Sequence, residues 1–140
     1  MLNKTRFSKS EIEKAFPRVV LNYHAWPKRS ADRLLILLSI AACFDFDNAH
    51  YREVDVNDLI MTWNAHFGSH LNVDHITLRR ELVDARILER SADGGTYSVI
   101  PDDVLTENVS VIRSLDLEAL VDQEERRRLQ TRQRYLNATG

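Results

Sequence analysis

The 140-residue chain has little cysteine, glycine or proline, and the shortages of cysteine and glycine each exclude a class of protein. It contains one cysteine, four glycines and three prolines. A lone cysteine cannot form an internal disulfide framework, and it suits a reducing compartment. The sequence has no glycine-rich phosphate loop and no nucleophile elbow, which is the strained turn that carries a catalytic serine. We therefore expect a protein that is not an enzyme and that uses no cofactor.

A charge excess and a long apolar stretch are also missing. The formal net charge is −2, which gives no bulk attraction to nucleic acid. The longest apolar run lies between Leu34 and Cys43 and is too short to cross a bilayer. The first residues lack the apolar core of a secretion signal. These absences predict a cytoplasmic protein with no membrane partner, and the length is sufficient for a hydrophobic core.

What the sequence does contain is a change of periodicity near residue 86. Leu78, Leu82 and Ala85 fall on one face at helical spacing, and Asp74 can accept the free N–H groups of the first turn. Residues 87–90 and 96–100 then read as two short strands. Between them, residues 93–95 (Asp-Gly-Gly) tolerate the positive φ that a tight hairpin turn requires. A helix that runs directly into a hairpin is the arrangement of a winged helix.

The residues before this unit predict a helix-turn-helix. Residues 51–54 read as a short strand that pairs with the hairpin. Asp55 is expected to cap the next helix, and Gly68 is expected to end it. Further upstream, Ser30 is expected to cap a largely apolar core helix.

The N-terminal residues predict one more helix. Residues 10–13 (Ser-Glu-Ile-Glu) match a capping box, and Pro17 predicts a kink or a restart within the helix that follows. The predicted fold is therefore mainly α with a small β-hairpin: a winged helix-turn-helix core with flanking N- and C-terminal helices. The predicted boundaries are an N-terminal helical segment at 1–29, the winged-helix-like domain at 30–100, and a charged C-terminal segment at 101–140.

The C-terminal segment is expected to begin with an acidic connection at residues 102–103 and to form a long helix from about Asp116 to Asn137. Its acidic residues come first and its arginines follow, which suits the helix dipole. Its apolar residues are sparse, so most of its surface should be solvated. Such a helix could also pack on a second copy of the chain and make a homodimer.

A set of residues spread over about half of the chain carries a family resemblance: Pro27-Lys28-Arg29, Arg33-Leu34, Tyr51, Glu53, Val56-Asn57, Leu59-Ile60, Thr77-Leu78-Arg79-Arg80, Leu82-Val83-Asp84, Leu88, Arg90, Gly95 and Tyr97. With these residues the chain resembles a prokaryotic domain family of unknown function. That family is a winged-helix-like domain that occurs alone or fused behind transcription regulators of the arsenical-resistance-repressor type. Arg86 stands where this family usually has glycine, and Ser98 replaces an expected aromatic. The resemblance implies a domain linked to transcription but supplies no established activity.

The fold predicts a DNA-binding surface. If the helix after Asp74 enters the major groove, its polar side chains face the bases and the hairpin contacts phosphates. The candidate DNA-binding residues are Lys28, Arg29, His75, Thr77, Arg79, Arg80 and Arg90. In the competing interpretation, Arg80 pairs with Asp84, Arg79 anchors the edge of the core, and the domain is a protein-interaction module without DNA binding. The equal numbers of arginines and acids in residues 74–86 favour this alternative, because DNA is densely negative.

A metal site is not predicted. The chain has five histidines, and His66 and His70 have the spacing of two ligands on one helix. Gly68 should break the helix between them, and a single cysteine adds little to a zinc site.

The partners expected from the sequence are double-stranded DNA and a second copy of the chain.

Overall fold

The computed structural model describes residues 5–139. Residues 1–4 of the predicted N-terminal segment and Gly140 of the predicted C-terminal segment lie outside the described residues. The elements, in chain order, are α1 (Lys9–Asn22), α2 (Ser30–Ala41), β1 (Tyr51–Arg52), α3 (Glu53–Phe67), α4 (His75–Asp84), β2 (Leu88–Arg90), β3 (Thr96–Val99), α5 (Asp103–Arg113) and α6 (Leu117–Thr139). The prediction of a mainly helical, winged-helix-like fold is confirmed. The boundaries drawn at residues 29/30 and 100/101 stay a prediction.

Helix α2 lies at the centre of the core. It is buried around most of its circumference, and Leu35, Ile36 and Ile40 are at most 1% exposed. Its one buried hydroxyl, on Ser39, accepts a hydrogen bond from the Trp63 indole N–H of α3 at 3.0 Å. This bond satisfies a polar group that would be costly to bury alone. It also joins the central helix to the first helix of the helix-turn-helix.

Helix α1 begins two residues earlier than the sequence predicted. The cap is Ser8, whose hydroxyl accepts the Glu11 N–H at 3.1 Å while the Glu11 carboxylate accepts the Ser8 N–H at 3.0 Å. The earlier start places Phe7 and Ile12 at the positions of a hydrophobic staple, and both pack in or against the core. Of the two outcomes predicted at Pro17, the restart is wrong, because one helix runs through this residue, and the kink stays a prediction.

The predicted caps of α2 and α3 are also one to three residues too late. Ser30 is the first residue of α2, and the cap position belongs to Arg29, which makes no capping bond through its side chain. Helix α3 begins at Glu53, so the strand before it is only two residues long. Asp55 lies inside the first turn and accepts the Arg52 backbone N–H at 3.2 Å. It therefore stabilises the start of α3 from the third position rather than from the cap.

The predicted hairpin is confirmed, and we call the β2–β3 hairpin the wing. Strand β3 lies in the middle of an antiparallel sheet of order β1-β3-β2. Leu88 pairs with Val99 in the wing, and Tyr51 pairs with Tyr97 where β1 joins it. Gly94 in the turn has φ 75°, a conformation that glycine adopts without strain. The pairing of β1 fixes the wing beside α3 and α4.

Helix α5 was missed in the sequence, where residues 102–103 read as an acidic connection. Asp102 is in fact a helix cap whose carboxylate accepts the Leu105 N–H at 2.8 Å. The helix buries Leu105, Val109 and Ile112 at helical spacing, which is the signal that was overlooked. The predicted long helix is present as α6. It packs along α1 through its first half, and none of its residues is fully buried.

Candidate nucleic-acid interface

Helix α4 and the wing face each other across a cleft of about 230 Å³, which we call the α4–wing cleft. The residues that line it are Ile76, Arg79, Arg80, Val83, Arg90 and Tyr97. Four of these residues belong to α4, at positions 76, 79, 80 and 83. Residues three or four positions apart lie on the same side of a helix, so these four share one face. The cleft thus joins three cationic side chains to a small apolar surface.

The ends of α4 hold this face in place. At the start, the Asp74 carboxylate accepts the Thr77 N–H at 2.7 Å, and this hydrogen bond holds the pKa of Asp74 below its ordinary value. At the other end, Arg86 has φ 63° and turns the chain into β2. Leu78 and Leu82 are fully buried on the opposite face. The lining residues of α4 therefore sit on a fixed element rather than on a loop.

Arg79 is held by protein groups, and its side chain is 18% exposed. It donates to the Asn57 side-chain oxygen at 2.5 Å and lies 3.6 Å from the Glu53 carboxylate. The Tyr97 hydroxyl donates to the same carboxylate at 3.2 Å. This network links α3, α4 and β3. Arg79 is therefore a positioning residue for the cleft, as the competing interpretation of the sequence expected.

Arg80 and Arg90 supply the available positive charge. Both are exposed, and no ion pair involves either of them within residues 5–139. The predicted competing pair between Arg80 and Asp84 is not formed. Arg90 donates to the Gly94 carbonyl at 3.2 Å, and its guanidinium carbon lies 5.9 Å from the centre of the Tyr97 ring. These contacts orient the Arg90 guanidinium on the wing without neutralising it.

The other four candidate residues do not line the α4–wing cleft. Thr77 follows Ile76 on the helix, and its backbone N–H is engaged by the Asp74 cap. His75 is the first residue of α4 and is half-buried. Lys28 and Arg29 precede α2, whose first residues border a separate depression with Glu81 and Asp84. The predicted set of seven basic and polar residues is thus divided between surfaces, and three of them meet in the cleft.

Tyr97, Glu53 and Asn57 were not predicted as site residues. All three are among the residues that carry the family resemblance, as is Arg79, and the structure brings these four into one network. Their shared place in the family resemblance was the sequence signal that could have identified them as site residues. Ile76 and Val83 were missed because a helical face lined by both apolar and basic side chains reads as the edge of a core.

Two further observations concern the metal-ligating side chains and the apolar character of the helices. No three metal-ligating side chains cluster between residues 5 and 139. His66 lies near the end of α3 with its ring 3.6 Å from Glu118, and α3 ends before His70. Over the same residues, no helix has both the length and the apolar character needed to cross a membrane.

Comparison with known proteins places part of the chain in a described family. The model of a family described as "Uncharacterized protein conserved in bacteria (DUF2087)" matches residues 23–99, which span α2 to β3 and include the whole lining of the α4–wing cleft. Searches of curated proteins and of solved structures find no match.

Proposed function

This chain belongs to the family of uncharacterised proteins conserved in bacteria that its residues 23–99 match, and we propose that it is a DNA-binding protein of winged-helix type that acts in transcription regulation. The observation that carries the proposal is the α4–wing cleft, where Arg80 and Arg90 present unpaired guanidinium groups from a helix and from a wing. The resemblance to domains fused behind arsenical-resistance-repressor-type regulators supports the link to transcription.

In this proposal the two cations have different roles. Arg80 lies on the exposed face of α4, the helix that enters the major groove in proteins of this type. Arginine reads guanine there through two hydrogen bonds, which is the most common specific contact. Arg90 lies on the wing, where a guanidinium contacts phosphate oxygens and fixes the register of the protein on the duplex. Arg79 holds α4 against α3 and makes no DNA contact.

A neutral α4 does not oppose this assignment. Its acidic residues Glu81 and Asp84 border the depression beside α2, whereas the α4–wing cleft has no acidic residue in its lining. Within α4, the acids therefore line a different surface from Arg80.

Titration of a labelled DNA duplex with the purified chain at low ionic strength tests the proposal. We expect binding that falls steeply as salt is added, because phosphate contacts release counterions. Arg80→Glu and Arg90→Glu should each weaken it strongly. Arg126→Glu in α6 is the matched control, since it makes the same charge change at an exposed residue that does not line the cleft, and it should bind nearly as the unsubstituted chain does. Absence of binding at low salt, or equal losses in all three variants, would contradict the proposal.

A specific observation also favours the protein-interaction alternative. Val54, Met61 and Ile76 are large apolar residues that α3 and α4 leave 44–51% exposed. An acidic peptide could place its carboxylates on Arg80 and Arg90 and its apolar side chains against Ile76. Binding of such a peptide by a chain that shows no affinity for DNA would replace the first proposal with this one.

A further inference from the structure

The second half of α6 is a helix without a tertiary partner in the described chain. Residues 129–139 are exposed throughout, and Leu129, Tyr135 and Leu136 are 52–68% exposed. A helical stretch this short is marginal in water when nothing packs against it. A surface that covers this half of α6 would therefore stabilise it.

One face of α6 carries a regular pattern, which we call the α6 stripe. Its members alternate by four and three positions, the spacing of a helix–helix seam: Glu118, Asp122, Glu125, Leu129, Arg132 and Leu136. The face of α6 that packs toward α1 and the core is a different one, and it carries Leu117, Leu120 and Val121. The α6 stripe is exposed along its whole length.

Charge is divided along the α6 stripe. All of its acids lie in the first half of the helix, and its arginine lies in the second half. A parallel alignment with an identical helix would oppose like charges at every charged position. In an antiparallel alignment, the acidic half of each helix would face the arginine of the other helix. A two-fold axis between the helices makes this contact twice, once at each end of the pair.

We propose that the α6 stripe is the contact surface between two copies of this chain, with their α6 helices antiparallel. Asp122 of each copy lies opposite Arg132 of the other and forms two symmetric ion pairs. The same alignment places Glu125 beside Leu129 and Glu118 beside Leu136, where the methylene groups of the glutamates cover the leucine side chains.

The charges needed for this contact are available. Asp122 and Arg132 form no ion pair within the described residues. They are ten residues apart on one helix, which is about 15 Å. They therefore cannot pair within a chain, and any coupling between them must act between chains. The proposal is independent of DNA binding, because α6 supplies no residue to the lining of the α4–wing cleft.

The contact area is that of one pair of short helices, so the dimer should be reversible. Interfaces well below about 1,200 Å² belong to weak, transient complexes. We expect sedimentation of the full chain at low ionic strength to shift from monomer to dimer over roughly two decades of protein concentration. Added salt should weaken the dimer, since its ion pairs are exposed.

A charge exchange tests the alignment. Asp122→Arg and Arg132→Glu should each weaken self-association by about tenfold, because two symmetric pairs become repulsive. The double variant restores opposite charges and should recover most of the loss. Arg134→Glu is the matched control for Arg132→Glu. It makes the same charge change at an exposed residue about 160° around the helix from the middle of the stripe, and it should associate as the unsubstituted chain does.

Circular dichroism confirms that each variant keeps its helices, which all four should do because the substituted side chains are exposed. A chain that stays monomeric across the concentration range overturns the proposal and leaves the α6 stripe to a different protein. A dimer whose affinity is unchanged by either single substitution also overturns the proposal. So does a double variant that dimerises no more tightly than the single variants, because either result places the contact elsewhere.

Discussion

Replacing Arg86 with glycine should stabilise this protein. Arg86 has φ 63°, and its backbone N–H donates to the Val83 carbonyl at 3.0 Å while the Ile87 N–H donates to the Leu82 carbonyl at 3.0 Å. These two bonds are the pair that defines a Schellman motif, in which the left-handed residue after a helix is usually glycine. Here the position is occupied by a residue with a Cβ atom, which crowds the carbonyl oxygen that follows.

The expected increase in the free energy of unfolding of Arg86→Gly is small but measurable. The left-handed conformation costs a residue other than glycine about 1–2 kcal/mol, and glycine gives back about 0.5–1 kcal/mol through its greater freedom in the unfolded chain. The difference is a gain of about 1 kcal/mol, or a rise in Tm of about 3 °C for a chain of this size. The guanidinium of Arg86 forms no ion pair or hydrogen bond with any of residues 5–139, so its removal costs little.

Urea unfolding of Arg86→Gly and Arg86→Ala separates backbone strain from the loss of charge. Both substitutions remove the guanidinium, but alanine keeps the Cβ atom. Glycine should raise the unfolding midpoint, and alanine should leave it nearly unchanged. An equal rise in both variants, or no rise with glycine, would refute the assignment of strain to this residue.

Three further substitutions test contacts that position the site. Asp74→Asn should remove a pH dependence: the folded-state pKa of Asp74 is lowered by the Thr77 N–H, so its stabilisation is present above the unfolded pKa and lost as the pH falls through the folded pKa. Thermal unfolding from neutral to acid pH should therefore show the advantage of aspartate shrinking in acid. Ser39→Ala leaves the buried Trp63 N–H without its acceptor and should lower the free energy of unfolding by about 1–3 kcal/mol; an unchanged urea midpoint would show that this bond is dispensable. Tyr97→Phe removes the donor to Glu53 and should cost about 1 kcal/mol, which the same assay measures.

The helix–wing unit could be predicted because its signals are local. Asp74 marks the start of α4, the leucines of α4 mark its buried face, and the glycines at 94 and 95 mark the turn of the wing. Each signal involves residues a few positions apart, where sequence spacing and spatial distance agree. The departure from glycine at Arg86 was also visible, and the structure gives this residue the left-handed conformation expected of that position.

Errors arose where two local solutions were equally good. The sequence offers two overlapping capping boxes, Ser8–Glu11 and Ser10–Glu13, and the packing of Phe7 and Ile12 decides between them. Helix α5 was missed because Asp102 was taken as part of a charged connection rather than as a cap. For α1 the deciding contact lies in the core and not in the motif, whereas for α5 the helical spacing of Leu105, Val109 and Ile112 was a local signal.

The candidate site was only partly predictable because it depends on long-range contacts. Arg79 and Arg80 are adjacent in sequence, and both were candidate DNA-binding residues. Arg79 instead joins Asn57 and Glu53, which lie more than twenty residues upstream, and Arg80 remains unpaired. Which arginine is held and which is available depends on how α3 packs against α4, and no spacing within α4 contains that information.

The dependence of DNA affinity on salt tests the role of the α4–wing cleft most directly. Each phosphate contact contributes about 0.9 to the slope of log affinity against log salt concentration. If Arg80 and Arg90 both engage the duplex, the double variant Arg80→Ala/Arg90→Ala should bind more weakly and lower the magnitude of that slope by between about 0.9 and about 1.8, the smaller value applying where Arg80 reads a base. A double variant with the same affinity and slope as the unsubstituted chain would show that DNA does not bind in this cleft.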